Sequence, residues 1–348
     1  MVCLERKALH LTRNCIRHFG LDEEVYILGQ ATKFEISVIV AIYNAQWNKL
    51  KKTLLSILMQ EGAEFEIILA DDGSKVKFRE ETLALFAQYG FLHYKFSDME
   101  KNSGTCLNLL TALGMAQAPY IKTISPGDLL YQSETLKNWL AFMKARKADI
   151  SFGDSIYYSY EDEKPIIQQM GNHPKNKILF SEDVPYKPRM LDFLIARDLI
   201  LGASLMVETE LFLMYLKKLV ENGVIYGEDN YLRLAIFEGK KLLYFPETVL
   251  FYENGTGIST SGSSKWRLIL LRDEQATERV LIQNSRSVNA LSDRYVHFLK
   301  TKPKNPKLRK IYQYLLFPGA IPIVLRNKKC HIETETPALG SSFVELLR

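Results

Sequence analysis

The segment Ile36-Ser37-Val38-Ile39-Val40-Ala41-Ile42 constrains this chain more than any other. A near-continuous run of apolar, mostly β-branched residues does not alternate as a half-wet strand must. It suits a strand covered on both faces in a parallel sheet. The run ends at Tyr43-Asn44, helical periodicity fills Leu50 to Gln60, and a second buried run, Phe65 to Ala70, closes at Asp71-Asp72-Gly73-Ser74. Strand, helix and strand in that order make one right-handed βαβ unit. The spacing then predicts a helix near Glu80 to Tyr89, a strand at His93 to Phe96, a helix over Thr105 to Ala116 and a strand over Tyr120 to Ile124. Such alternation describes a doubly wound α/β sheet whose ligand site lies beyond the carboxyl ends of its strands. Tyr43-Asn44, Asp71-Asp72 and Ser125 to Asp128 all fall at such ends.

Past residue 130 the alternation loosens. A polar stretch runs from Tyr157 to Arg189, with helical segments around Leu191 and Glu210, a strand over Leu242 to Phe251, and helices between Lys265 and Lys300. The reading divides the chain into an amphipathic N-terminal segment (1–34), a nucleotide-binding half (35–130), an acceptor-facing half (131–262) and a helical, basic tail (263–348). In the first of these, Leu4, Ala8, Leu11 and Cys15 fall at helical spacing.

The four cysteines form no CxxC pair, so neither a structural zinc site nor a disulfide framework is indicated. The N-terminus lacks the continuous apolar core of a signal peptide, and no stretch has transmembrane length, so a cytoplasmic protein is expected. A net charge of +5 suits an anionic partner but discriminates little. The basic residues gather in the tail, from Arg294 to Arg309 and Lys310, ahead of the apolar run Ile311 to Leu325. That pattern leaves two readings open: a helix packed on its own domain, or a peripheral contact with the inner face of a membrane. A nucleic-acid partner is disfavoured, because no stacking aromatics interleave with these charges.

Asp71-Asp72-Gly73-Ser74 alone could be a plain Asx-turn. Read together, however, Ile36 to Asn44, Thr53-Leu-Leu-Ser-Ile-Leu-Met-Gln60 and Phe65 to Ser74 resemble family 2 of the nucleotide-sugar glycosyltransferases. The resemblance covers Glu35 to Leu130, resumes at Leu201-Gly-Ala-Ser204 and Gly227-Glu228-Asp229, and fades beyond about residue 262. It implies a GT-A fold, a Rossmann-like mixed sheet, with a helical C-terminal extension. It also implies an inverting hexosyltransferase using a nucleotide-sugar donor, with UDP favoured through Tyr43, which would stack on uracil, and Asp72, which would accept its N3–H. Asp71 belongs to the same turn, and Asn102, Gly104 and Asn108 match the N-x-G and A-R-N segment that follows, with Leu107 where an arginine is common.

At Ser125-Pro126-Gly127-Asp128 the family usually carries a D-x-D cluster holding Mn²⁺ or Mg²⁺. Only Asp128 remains, with Gly127 where the usual ligand would stand. The readings left open are a metal on Asp128 and the donor phosphates, catalysis without a metal, or a changed role for the loop. Glu228-Asp229 resembles the catalytic acidic pair, implying Asp229 as general base and Glu228 as its support; the structural alternative is a pair favouring a helix N-terminus. Lys265 and Arg267 are candidates for offsetting charge on the leaving diphosphate.

The acceptor would be a saccharide, polymer or lipid-linked hydroxyl, in the making of a bacterial surface polysaccharide or glycoconjugate. Two other classes were weighed. A nucleotidyltransferase would open with a Gly-rich phosphate loop, which Tyr43 to Trp47 is not, and a non-catalytic sugar-nucleotide-binding module would not need Glu228-Asp229.

Overall fold

The first strand is covered on both sides, as its unbroken apolar run demands. In the computed structural model, which describes residues 34–162, 164–168, 174–255, 264–283, 286–329 and 345–346, β1 (Ile36–Ile42) lies between two parallel neighbours, β2 (Phe65–Asp71) and β4 (Tyr120–Ile124). Val38 and Val40, with Ile67 and Leu69 of β2, pack against α1 (Trp47–Leu58), α2 (Arg79–Gln88) and α4 (Thr135–Arg146). Ile39, Ile68 and Ala70 face the other way, onto α3 (Thr105–Leu113), α6 (Thr209–Glu221) and α7 (Tyr231–Phe237). Ser37 of β1 and Glu66 of β2 are satisfied locally. Glu66 accepts the hydroxyl of Ser37 at 2.7 Å and the ammonium of Lys95 at 2.8 Å, so burial leaves neither unpaired.

Among the described residues the sheet has the order β3-β2-β1-β4-β8-β6-β9-β5. Strand β3 (Tyr94–Asp98) is parallel to β2, β8 (Leu205–Glu208) is antiparallel to β4, and β6 (Ile150–Glu161) runs parallel to β9 (Leu242–Glu253). Short β5 (Leu129–Leu130) pairs with β9, and β7 (Lys164–Ile167) pairs with β6. The doubly wound mixed sheet is therefore as the pattern predicts. One segment differs in kind: the polar stretch assigned from Tyr157 begins inside β6, where Tyr157 and Tyr158 are buried phenols. A tyrosine counts as polar in a sequence, yet it packs as an aromatic when its hydroxyl finds an acceptor.

Beyond β9, helix α8 (Ser264–Gln283) and helix α9 (Ala290–Thr301) send Ala276, Val280, Leu281, Tyr295, Phe298 and Leu299 into the same core as α6 and α7. The apolar run from Ile311 is split into α10 (Pro306–Leu316) and α11 (Ala320–Lys329), with Pro318 in the break between them. Helix α11 packs on the irregular helical turn Leu191–Ala196, which follows α5 (Tyr186–Met190). Helix α10 buries no residue and carries Leu308, Ile311 and Leu315 exposed. No helix among the described residues is long and apolar enough to cross a membrane. The amphipathic helix expected near the N-terminus and the segment Thr256 to Gly262 lie outside the described residues.

The docking of α11 is sealed by a buried polar contact. The side-chain amide of Asn327 donates to Asp192 Oδ1 at 2.9 Å, while Asp192 Oδ2 has no hydrogen-bond partner among the described residues. Burial, with the charge of Asp198 beside it, pushes the Asp192 carboxyl from 3.8 up to about 7. The folded protein thus holds a proton that the unfolded chain releases. This contribution to stability is complete below the unfolded value and is lost as pH rises through about 4 to 7. Replacing Asp192 with Asn is expected to flatten the fall of Tm across that window, and calorimetry of both proteins from pH 4 to 8 checks it.

Candidate functional site

The parallel register of β1, β2 and β4 brings three strand ends together, and short polar contacts lace them. Asn44, with φ at 47°, donates its N–H to Ser74 Oγ at 2.8 Å and accepts the N–H of Lys75 at 3.0 Å. Asp71 accepts the N–H of Ser74 at 2.8 Å, closing the turn. Asp72 reaches across to the loop before α3. Its Oδ1 accepts the N–H and hydroxyl of Ser103 at 2.7 and 2.8 Å, and its Oδ2 accepts the N–H of Gly104 at 2.9 Å. Gly73 allows this approach, because a Cβ there would stand 2.5 Å from the Lys101 carbonyl carbon, at a φ of +71°.

Of the residues expected to contact the nucleotide, two are open. Tyr43 is 53% exposed, and Asn102 is exposed beside it. The other four form the floor. Asp71 and Asp72 are buried, Gly104 begins α3, and Asn108 is buried with its amide donating to the Ala70 carbonyl at 2.8 Å. Asn108 thus ties α3 to β2 from below the open surface.

The end of β4 holds a second group of charges. Asp128 is buried, with Oδ1 accepting the N–H of Glu253 at 3.1 Å; burial pushes its carboxyl up to about 7 against the pull of that N–H and of the Lys122 ammonium. Lys122, also buried, is brought down to about 7 by desolvation and donates to the carbonyls of Thr123 and Ala203 at 2.7 and 2.5 Å. Gly127 is fixed by Thr53 Oγ1, which accepts its N–H at 3.0 Å, and by the Tyr158 hydroxyl, which donates to its carbonyl.

A Cβ on Gly127 would lie 2.1 Å from Glu253 Oε2, so the carboxylate of Glu253 fills the volume that a side chain at 127 would take. Among the described residues that oxygen is buried without a hydrogen-bond partner, while Oε1 receives the ammonium of Lys49 at 2.5 Å. Two carboxylates, Asp128 and Glu253, therefore stand at this strand end, within the one or two that Mg²⁺ or Mn²⁺ on nucleotide phosphates takes from protein. The donor set fits such an ion provided Lys49 yields its place. Among the described residues there is no group of three or more His, Cys, Asp or Glu side chains arranged for a metal.

Glu228 and Asp229 occupy a helical turn (Glu228–Asn230) leading into α7, as expected of a pair near a helix start. Glu228 is half-buried and Asp229 exposed at the rim of the turn; desolvation by the surrounding protein raises the Glu228 carboxyl, and the charge of Asp229 raises it further, while desolvation also raises Asp229, offset by a backbone N–H and by Arg233. A Cβ at Gly202 would touch Asp229 Cβ at 3.5 Å, so the segment from Leu201 to Ser204 borders the pair. The loop just before it leans on the donor side: Ile225 accepts the N–H of Cys106 at 2.9 Å, and the Tyr226 hydroxyl donates to Asn102 Oδ1 at 3.1 Å. The Cys106 thiol beneath is pushed well up by burial and by Glu228, so it is no nucleophile. Lys265 and Arg267 sit exposed on the first turn of α8.

Sequence reasoning missed Glu253, Tyr226 and Asp273. The last had a visible signal, because Asp273 shares helical spacing with Ala276, Thr277, Val280 and Leu281 and so places a carboxylate on an apolar stripe.

The fold has counterparts among solved structures. A crystal structure of S. aureus TarS 1-349 in complex with UDP-GlcNAc is 17% identical, with a TM-score of 0.51, covering 84% of this chain and 81% of that one. TarS 1-349 in complex with UDP gives 17% identity and a TM-score of 0.47 over 75% of this chain and 69% of that one. A further S. aureus TarS structure, also 17% identical with a TM-score of 0.48, is covered over 42% of its length by 75% of this chain. No curated protein sequence matches. Fold and family together define a glycosyltransferase of GT-A architecture. The profile described as Glycosyl transferase family 2 matches residues 37–222, and the chain belongs to that family. The acidic pair at 228 and 229 lies just past the matched stretch.

Gly73 and Gly90 both have positive φ, but nothing lies within 4 Å of a Cβ at Gly90. Gly73→Ala is therefore expected to lose about 1–3 kcal/mol more stability than Gly90→Ala, the excess reflecting collision with the 101–102 backbone. Urea denaturation of the two variants against the parent measures it.

Proposed function

We propose that the protein transfers a sugar from a UDP-sugar to an acceptor hydroxyl with inversion at the anomeric carbon. The observation that carries this reading is the contact between the loop preceding Glu228-Asp229 and the nucleotide-side loop, through Tyr226 and Asn102. It supports the reading by tying the loop that leads into the acidic pair to the loop whose Ser103 and Gly104 N–H groups Asp72 accepts.

Tyr43 offers its open face to a base. Among the described residues Asp72 Oδ2 accepts a single N–H, so one lone pair remains for a uracil N3–H. The structure of TarS with UDP-GlcNAc supports the choice of donor class. Asp229, open to solvent and raised by the protein crowding its turn, is the base: it takes the proton of the acceptor hydroxyl as that oxygen bonds to the anomeric carbon and the bond to the diphosphate breaks. Mn²⁺ or Mg²⁺ on Asp128 and Glu253 would supply positive charge to the departing diphosphate, and Lys265 and Arg267 would add to it. Helix α10 bears exposed Leu308, Ile311 and Leu315 among Lys307, Arg309 and Lys310, a face suited to an anionic bilayer surface, where a lipid-linked acceptor for a surface polysaccharide would be met.

Asp229→Asn is expected to lower kcat for UDP-sugar turnover about 100-fold or more while UDP binds as before. Retained turnover in that variant sinks the assignment of the base. Glu253→Gln is expected to weaken UDP-dependent Mn²⁺ binding about tenfold, read by electron paramagnetic resonance. Equal Mn²⁺ affinity in the two proteins would remove Glu253 from the metal site.

A further inference from the structure

The loop Ile225-Tyr226-Gly227 carries the acidic pair, and what holds this loop comes from outside the stretch shared with the family. Asp273 of α8 is fully buried, and its Oδ2 accepts three consecutive backbone N–H groups: Ile225 at 3.2 Å, Tyr226 at 2.7 Å and Gly227 at 3.1 Å. Three successive amides converge on one oxygen only when the backbone curls around it, so this carboxylate dictates the curl. The Asp273 Cβ also lies 3.6 Å from where a Cβ of Gly227 would be, directly beneath the residue before Glu228.

Two more contacts from the C-terminal helices grip the same turn. Trp266 of α8 meets Tyr226 edge-on, with ring centroids 5.0 Å apart. Arg233, one helical turn after Asp229, lies 3.7 Å from Glu274 and 3.9 Å from Glu278 of α8, and donates to the hydroxyl of Tyr295 in α9 at 3.1 Å. Backbone before the pair and side chain after it are thus both anchored to the same helix.

We propose that Asp273 is the positioning residue for Glu228-Asp229, so that the C-terminal helices complete the catalytic site of this chain. The inference rests on the reading of Asp229 as the base. A misplacement of about 1 Å at a reacting group can cost on the order of 100-fold in rate without disturbing substrate binding elsewhere. The charge of Asp273 has a separate effect. Glu228 is faced by Asp229 and Tyr231 of its own segment, by Cys106 of α3 and by Asp273 of α8, while Arg233 faces Asp229; the Asp273 carboxylate contributes to keeping Glu228 protonated to higher pH.

The two functions separate in two variants of the full chain. Asp273→Asn keeps an acceptor oxygen and removes the charge; Asp273→Ala removes both. With UDP-GlcNAc hydrolysis as the assay, Asp273→Ala is expected to lower kcat about 100-fold, with the Kd for UDP changed less than about threefold. Amide exchange at residues 225–227 should quicken in that variant. Asp273→Asn should recover at least about a tenth of the lost rate, because it restores an acceptor oxygen for the three amides. The inference is overturned if Asp273→Ala keeps kcat within about threefold, if rate and UDP affinity fall together, or if Asp273→Asn recovers none of the lost rate. Asp229→Asn serves as the reference. Should that variant keep its turnover, the base reading and this inference both fall; an inactive Asp229→Asn beside an active Asp273→Ala removes only the inference. Exchange at 225–227 reports on the anchor itself, independently of turnover.

Discussion

Everything near the candidate site depends on β1 having a parallel partner on each edge. Parallel pairing in register aligns the carboxyl ends of β2, β1 and β4, so that turns distant in sequence open side by side. Three neighbouring turns with free amides and carboxylates cannot all be left to solvent without losing their shape. The laces from Asn44 to Ser74, and from Asp72 to Ser103 and Gly104, answer that need. Of the six residues expected at the nucleotide, they leave Tyr43 and Asn102 presented outward.

A second theme is the expense of burying charge, met here by mutual satisfaction rather than by exclusion. Lys122 and Asp128 sit inside the protein, each drawn toward neutrality by desolvation and each pulled back toward ionisation by the other. Glu253 stands where a side chain at 127 would have been, and its oxygens are split between Lys49 and a pocket offering no donor. The missing side chain of Gly127 is thereby matched in space by an acid from β9, a contact between positions far apart in the chain.

The nucleotide half of the fold was legible because its physics is local. A strand covered on both faces shows as an apolar run, an amphipathic helix as a three-and-four spacing, and a turn as Asp-Asp-Gly-Ser. The other half depends on partners remote in sequence. Tyr157 and Tyr158 read as polar until β9 and the Gly127 carbonyl are seen beside them. Asn108 matches a family motif, yet only the structure shows its amide spent on Ala70. The role of Glu253 could not be read from a strand terminus, since the clash with a Cβ at 127 is defined by three-dimensional closeness alone. Asp273 was within reach, as a carboxylate on an apolar stripe is a signal in itself, but the N–H donors it accepts lie on a loop whose path the sequence does not reveal.

The apolar core bounded by α6 and α7 does not stop where the family-shared stretch stops. It runs on through Val280, Leu281, Tyr295 and Phe298 to Phe317 and Ala320. A recombinant fragment trimmed at the end of β9, the natural place to cut if the tail were an appendage, would leave that core open to water along one whole flank. Such a fragment would be prone to self-association, and its misbehaviour would say nothing about the chemistry of the remainder. In this chain the border between a shared enzyme body and an added tail exists in sequence comparison only; as a folding unit the two are one.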